Sequence, residues 1–446
     1  MVTATPQLKV LARIKSGPQK LLEVIKLSRY SLLSLFAMIL GFVRELAVSS
    51  NFGLSKELDV YIAVTGFYLF FGVQIANTME MVFISKSANF ESPGLVATQL
   101  FRALKVLFAF NAAFVLALYI GGQQLLVMLF PGFTDAQTAL GVRFLRLILV
   151  AIVLANSCGI LKASLNVLRV FSPGMLSGAI ISLSTAVSIV LFGSEFGINA
   201  LIYGFIIGNA LSFLFMLTIF IRTVGWDQIS LSIKKTPTHD GLWAASGIVF
   251  LGELCYQGFS LVERSLASSL PAGTISAFYY AWTLVSVPLS LVVMPLSTVV
   301  YPKLAKSFAK SARQGYNLVE RYGLMFFIFA VSIVLVVLYD PLLIVKMVYM
   351  RGKFSSVDAE KTAEILSILI FSLPFSSFGR VARYGLYSLS GYIGSSASQF
   401  VTLVSIMLLA PVFVLNFGII GLAYASSLSI SVQSLVMLLM LRYKVR

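Results

Sequence analysis

Uninterrupted apolar runs constrain this chain more than any other feature. Val106 to Gly122 carries Asn111 as its one strongly polar side chain, and Leu324 to Leu338 carries only Ser332. Runs of this length match the roughly 20 apolar residues a helix needs to cross a hydrocarbon core about 30 Å thick. They are continuous, whereas a membrane-barrel strand alternates apolar and polar residues over about ten positions. With 59% hydrophobic and 11% charged residues and a mean hydropathy of +0.94, too few polar groups exist to coat a soluble surface. A soluble enzyme is excluded. At roughly 35 residues per crossing and loop, 446 residues accommodate about twelve or thirteen spans.

The fold class predicted is therefore an all-α polytopic membrane protein with about twelve transmembrane helices. Spans are expected near 30–50, 59–84, 100–122, 137–161, 172–193, 197–221, 241–266, 274–300, 320–345, 360–388, 393–415 and 418–441. A polar stretch from Arg222 to Asp240 divides them into six and six, so the expected units are a basic segment 1–28, a lobe 29–222, a linker 223–240 and a lobe 241–446. No residue-level similarity between the halves stands out. Leu21, Leu22, Ile25 and Leu27 alternate with Lys20, Glu23 and Lys26, which predicts a short amphipathic piece on the membrane surface. Nothing in the first 28 residues reads as a cleavable signal peptide.

The formal charge of +16 is scattered among apolar segments and does not form a nucleic-acid-binding face. It orients the chain instead, because Lys and Arg concentrate in cytoplasmic loops. With both termini cytoplasmic, roughly 22 basic residues fall inside and six outside, the six being Lys56, Arg264, Lys346, Arg351, Lys353 and Lys361. Cys158 and Cys255 lie within apolar segments and read as buried thiols, without a metal or disulfide pattern. His239 is the single histidine, so neither a zinc cluster nor a histidine relay is expected. The chain also lacks a phosphate-binding GxxxxGK[ST] loop and an HExxH motif.

Charges retained inside spans carry the functional signal. Arg44, Arg143, Arg146, Arg380 and Arg383 all fall there, with Glu45, Glu80 and Glu253 as acidic companions. Each costs about 2.5–3.5 kcal/mol at the centre of a span. Arginine keeps its charge at any physiological pH, and its planar fork matches phosphate oxygens, so a hydrated cavity holding several suits an anionic headgroup. Snorkelling to the interface is the alternative for Arg143 and Arg383. Gln74, Asn77 and Glu80 recur every third residue on the second span, and Glu253 and Gln257 sit four apart on the seventh. Each set shares one helical face and can line a water-filled path or bond neighbouring helices. Pro288, Pro295 and Pro374 predict breaks in the eighth and tenth spans.

The stretch Ile39 to Asp59, ILGFVRELAVSSNFGLSKELD, resembles the LGFxR(D/E)…FG…D opening of the MurJ-type lipid II flippases. Similar segments run from Glu263 to Phe308, Arg351 to Thr362 and Arg383 to Leu389. The resemblance implies membership of the multidrug/oligosaccharidyl-lipid/polysaccharide exporter superfamily, with two six-helix lobes forming a V around a central cavity, as in MATE-like transporters. It also implies headgroup-binding arginines, of which Arg44 is matched, while Met38, Gly72 and Thr283 stand where the family has the others. The usual final pair of spans is missing, and the last two spans contain no Asp or Glu to supply the family's sodium-binding carboxylates.

The function expected on this basis is translocation of a polyprenyl-pyrophosphate-linked saccharide across a bacterial cytoplasmic membrane by alternating access. The cargo is a lipid II-like peptidoglycan precursor or an exopolysaccharide or O-antigen repeat unit. A tail of about 50 carbons, at about 0.8 kcal/mol per methylene, would cost on the order of 40 kcal/mol to expose. It must stay in lipid and trail through a lateral opening while the head crosses. Arg44, Arg380, Gln74, Asn77, Glu80 and Gln257 are the expected substrate-binding residues. Glu45, Asp59 and Glu253 are the expected gate or charge-balancing residues, with Glu253 pairing an arginine when the cavity is empty. No metal or cofactor is expected, and sodium, protons or the membrane potential could each drive transport. Membrane lipids and polysaccharide-synthesis machinery are the expected partners, and no nucleic acid. The alternatives are a cation-coupled multidrug exporter, a membrane-embedded glycosyl- or phosphotransferase, or an inert scaffold.

Overall fold

The computed structural model describes residues 18–87, 90, 92–233, 247–389 and 391–445. Most of the basic segment and the part of the linker holding Lys234, Lys235 and His239 lie outside these residues. All the regular structure described is helical. In chain order the helices are α1 Pro18–Phe52, α2 Lys56–Phe67, α3 Gln74–Ser87, α4 Pro93–Leu129, α5 Asp135–Val167, α6 Ser172–Phe196, α7 Ile198–Val224 and α8 Trp226–Ile233. There follow α9 Gly247–Ser268, α10 Thr274–Pro288, α11 Met294–Lys310, α12 Ala312–Tyr339, α13 Pro341–Tyr349, α14 Ser356–Leu369, α15 Ser372–Ser388 and α16 Tyr392–Val445. Residues 21–27 are not a separate surface piece, because α1 runs without interruption from Pro18 into the first span.

Among the described residues nine helices are long and apolar enough to cross a membrane, or ten when α14 and α15, bent by 46°, count as one span. Two further facts bear on that number. Helix α16 is broken at Gly418, whose φ of 57° no other residue type adopts cheaply. Helix α9 carries Glu253, Glu263 and Arg264, too many charges for composition alone to mark it as a crossing. The break in the tenth span falls at Ile370–Phe371, ahead of Pro374, which sits in the first turn of α15 where its missing N–H leaves no bond unmade.

The structure reveals an internal repeat that the sequence did not suggest. A π-type turn separates α2 from α3 at Tyr68–Val73, and another separates α10 from α11 at Leu289–Val293. Capping boxes open α5 at Thr134 and α14 at Ser355. Left-handed glycines break the chain at Gly197 and Gly418. Each pair stands 221 residues apart. At the glycines the sequence itself repeats, FGINALIY at Phe196–Tyr203 and FGIIGLAY at Phe417–Tyr424.

Packing follows membrane rules. Phe108, Met128, Val190 and Leu415 are among the most exposed side chains, while Asn111, Asn156, Thr185 and Ser212 are buried. Asn156 Nδ2 donates to Asn111 Oδ1 at 2.9 Å and to the Phe71 carbonyl at 3.2 Å, the interhelical bonding that replaces hydrophobic drive in lipid. Gly204 and Gly208 let α7 lie against Thr185 and Ile181 of α6 so closely that an added Cβ would meet backbone carbons at 3.0 and 2.8 Å. Cys158 and Cys255 are only partly buried, a departure from the expected buried thiols, since neither helix is packed all round. Apolar cores form within the first half around Leu100 and Phe220, within the second around Phe326 and Leu441, and across both around Val64 and Tyr280.

Candidate functional site

The two halves meet at one end through backbone groups and glycines. Lys353 N donates to the Ser50 carbonyl at 2.7 Å, and Gly352, with φ of 60°, lies so close to Ser50 that a Cβ would sit 2.2 Å from its carbonyl oxygen. The start of α10 has no side-chain cap of its own, because its N-cap is Gly273. Asp59 of α2 supplies one from the other half. Its Oδ2 accepts from Gly273 N at 2.6 Å, and its Oδ1 accepts from Ser276 N at 2.8 Å and Ser276 Oγ at 2.5 Å. A carboxylate at a helix N-terminus is favoured both by the free N–H groups and by the helix dipole. From Thr274 to Phe278 every residue is buried.

Beneath this seal lies a chamber of about 350 Å³ lined by Tyr256, Gln257, Glu263, Arg264, Tyr279 and Trp282, among others. A second cavity of about 360 Å³ shares Tyr256, Trp282, Ser286 and Ile430 with it and adds Arg380, Arg383, Tyr384 and Gln433. Three guanidinium groups thus border two adjoining cavities. The Nε atoms of Arg380 and Arg383 are buried without a hydrogen-bond partner. Arg383, for which snorkelling was the alternative, lines this space with Arg380. Glu263 is held beside the chamber by Trp282 Nε1, at 3.0 Å from both carboxylate oxygens, and by Ser426 Oγ at 2.5 Å.

Arg44 is paired with its neighbour Glu45, its Nε 3.0 Å from Oε1 and Nη2 also in contact, and 27% of its side chain stays exposed. Glu45 in turn accepts from the Tyr279 hydroxyl at 2.9 Å, which ties the pair to the chamber wall. The polar stripe of the second span splits. Gln74 Nε2 donates to Glu253 at 2.6 Å, Asn77 donates to Gln74 at 3.2 Å and Gln399 donates to Glu253 at 3.4 Å. Glu253 therefore pairs with two amides and not with an arginine as expected, because the stripe on α3 faces it directly. Glu80 is drawn elsewhere, accepting from Asn166 Nδ2 at 2.8 Å and pairing Lys162 at 2.9 Å. Arg143 and Arg146 are exposed near the start of α5, one 3.4 Å from the Tyr203 hydroxyl, the other stacked over Tyr119. Gln257 lines the chamber.

Arg264, counted by its sequence position on the outer side but not among the site residues, lies inside α9 and reaches across to the Ile62 carbonyl of α2 at 2.8 Å. The signal that could have found it is helical spacing. Glu253, Gln257, Ser260 and Arg264 continue one polar stripe at intervals of three or four residues. Tyr279 and Trp282 carried no comparable mark.

The sequence profile of the family described as "Lipid II flippase MurJ" matches residues 48–446. A probable lipid II flippase MurJ of Buchnera aphidicola (Acyrthosiphon pisum) is 25% identical over 445 residues, covering 93% of this chain and 82% of that protein. One from Aquifex aeolicus is 25% identical over 420 residues, covering 90% and 80%. Among solved structures, a lipid II flippase MurJ in an inward closed conformation superposes with a TM-score of 0.79 at 21% identity, covering 93% of this chain and 87% of that one. An inward-facing MATE-family multidrug transporter of the MOP superfamily gives 0.77 at 12% identity, covering 92% and 98%. These superpositions establish an all-α membrane-transporter fold of the MATE and MOP type.

Proposed function

The chain belongs to the family of the MurJ lipid II flippases, and from that membership we propose that it moves a polyprenyl-pyrophosphate-linked saccharide across a bacterial membrane through the arginine-lined space. It is a multi-pass membrane transporter, not a glycosyl- or phosphotransferase. The observation that carries the reading is the chamber itself, where Arg264, Arg380 and Arg383 line adjoining cavities with Arg44 one tyrosine away. Stranded guanidinium groups at membrane depth are retained where they meet anions, and each fork can take two phosphate oxygens.

Counting α14 with α15 as one span, α16 as two spans at Gly418 and α9 as one gives twelve, six in each repeat, which supports lobes of 29–222 and 241–446. With both termini cytoplasmic, as the distribution of Lys and Arg favours, the Asp59 seal lies at the outer end. The Gln74–Glu253–Gln399 link then lies about 16 Å closer to the cytoplasm, eleven residues of α9 from Arg264. On this reading the state is sealed on the outer side and pinched by an amide link. Opening that link admits the headgroup, Arg380 and Arg383 receive it, and Arg44 holds it beneath the seal. Rocking of the lobes breaks the Asp59 cap and releases the head outside while the tail stays in lipid. Gln257 contacts the sugar or phosphate, Glu45 balances Arg44, and Asn77 and Glu80 act through Gln74 and Lys162.

The cargo is lipid II or a related exopolysaccharide or O-antigen unit. Met38, Gly72 and Thr283 support a cargo or binding pose of its own. The test has two arms. Native mass spectrometry of the gently solubilised protein should find a co-purifying polyprenyl-linked sugar. Arg44→Ala should abolish complementation of a flippase-depleted strain at normal membrane abundance, and full activity of that variant would remove Arg44 from the site.

A further inference from the structure

Arg264 is a chamber charge with few commitments among the described residues. It sits on α9, the helix that precedes α10 as α1 precedes α2 in the first repeat. It lines the chamber beneath the Asp59 seal and is only partly buried there. Among the described residues it forms no ion pair. The carboxylate beside it, Glu263, is occupied by Trp282 and Ser426. Its one described hydrogen bond, from Nη1 to the Ile62 carbonyl, is not needed by that carbonyl, which also accepts from Thr65 Oγ1 at 2.8 Å. A guanidinium carries five N–H donors in a fixed fork, so most of its donor capacity is uncommitted.

The surroundings keep it in place. Gly66 of α2 lies so near that an added Cβ would be 2.7 Å from Nη1; a glycine at that point leaves room for the fork. Tyr279 lines the chamber with Arg264 and donates to Glu45, the partner of Arg44. Thr283, a residue with no charge, lines the same chamber one helical turn on from Tyr279. The cation of this wall therefore comes from α9 and not from α10.

We propose that Arg264 is an anion-binding residue of the chamber, receiving the diphosphate of the cargo together with Arg44, whose partner Glu45 is held by Tyr279. This rests on the flippase reading above and adds the residue that holds the headgroup beneath the seal. A guanidinium on α9 explains how a chamber without an arginine at position 283 still presents a fork to a doubly charged phosphate ester.

The test uses the purified full chain in detergent, with Trp282 fluorescence and thermal shift as readouts. The probes are farnesyl pyrophosphate, farnesol and inorganic pyrophosphate. Wild type should bind farnesyl pyrophosphate, and Arg264→Gln should weaken that binding at least tenfold while leaving farnesol binding and the ligand-free melting temperature unchanged. Arg264→Lys should recover part of the affinity, which a purely structural role would not predict. If inorganic pyrophosphate competes in an Arg264-dependent way, the residue reads the diphosphate itself; if only the lipid binds, headgroup and tail are recognised together. Unchanged farnesyl pyrophosphate affinity in Arg264→Gln, with loss in Arg44→Ala, overturns the role of Arg264 and leaves the flippase reading intact. No binding to wild type overturns both.

Discussion

Asp59 and Ser276 lie 217 residues apart in the chain, yet one carboxylate oxygen of Asp59 accepts both the backbone N–H and the hydroxyl of Ser276. Through these bonds a helix of one half is capped by a side chain of the other. The contact closes the chamber and can only form when the halves lean together at this end. It therefore links helix stability to conformational state.

Removing the cap should open this end. Loss of an N-cap costs about 0.5–2 kcal/mol, and hydrogen bonds to a charged acceptor contribute about 1.5–3 kcal/mol each. With Cys158 and Cys255 replaced by alanine, Thr274→Cys should resist a membrane-impermeant maleimide. Adding Asp59→Ala should make it reactive, with Asp59→Asn intermediate. Equal protection in all three proteins would show that the seal does not depend on Asp59.

Gly273 adopts φ of 81°, and a Cβ there would stand 2.7 Å from the Leu54 carbonyl oxygen. Gly273→Ala should lower stability by about 1–3 kcal/mol, the range for a side chain forced into such backbone, and should reduce transport with it. Gly121→Ala is the control. Nothing lies within 4 Å of its Cβ position, and alanine is the better helix former by about 1 kcal/mol. Melting curves in detergent decide between them.

At the other end of the chamber, Glu253→Ala should release Gln74 and Gln399 together, whereas Gln74→Leu removes one donor and leaves Gln399 in place. Labelling of Gln257→Cys, again without the native cysteines, should rise more in the Glu253 variant. A rate that responds to neither substitution would mean the amide link does not restrict access.

Trp282→Phe should destabilise the protein by about 1–3 kcal/mol, because the buried Glu263 carboxylate loses the donor that meets both its oxygens. Ser426→Ala removes the third bond. The double variant should differ from the sum of the two, since both donors serve one acceptor. Additive melting-temperature losses would mean the two contacts are independent.

Much of the architecture was legible in the chain because a lipid solvent demands apolar runs of fixed length, and their ends carry recognisable caps such as Thr134 with Gln137 and Ser355 with Asp358. The repeat was legible only in part. FGI followed by a shared Leu and Tyr recurs at Phe196 and Phe417, but the π turns after Phe67 and Pro288 have little sequence in common, since such a turn is defined by backbone bonding and many side chains tolerate it.

Sequence by itself determined that the chain crosses a membrane many times, that it retains arginines at membrane depth, and that Arg44, Asp59 and Glu253 are unusual, because burial in hydrocarbon penalises each charge wherever it folds. Only the tertiary structure decided their partners. Whether Glu253 meets an arginine or an amide, whether Glu80 faces the path or Lys162, and whether Arg264 ends a helix in water or enters a chamber depend on which faces of distant helices come together. Hydrogen bonds of about 3 Å reach only what packing has already brought within range.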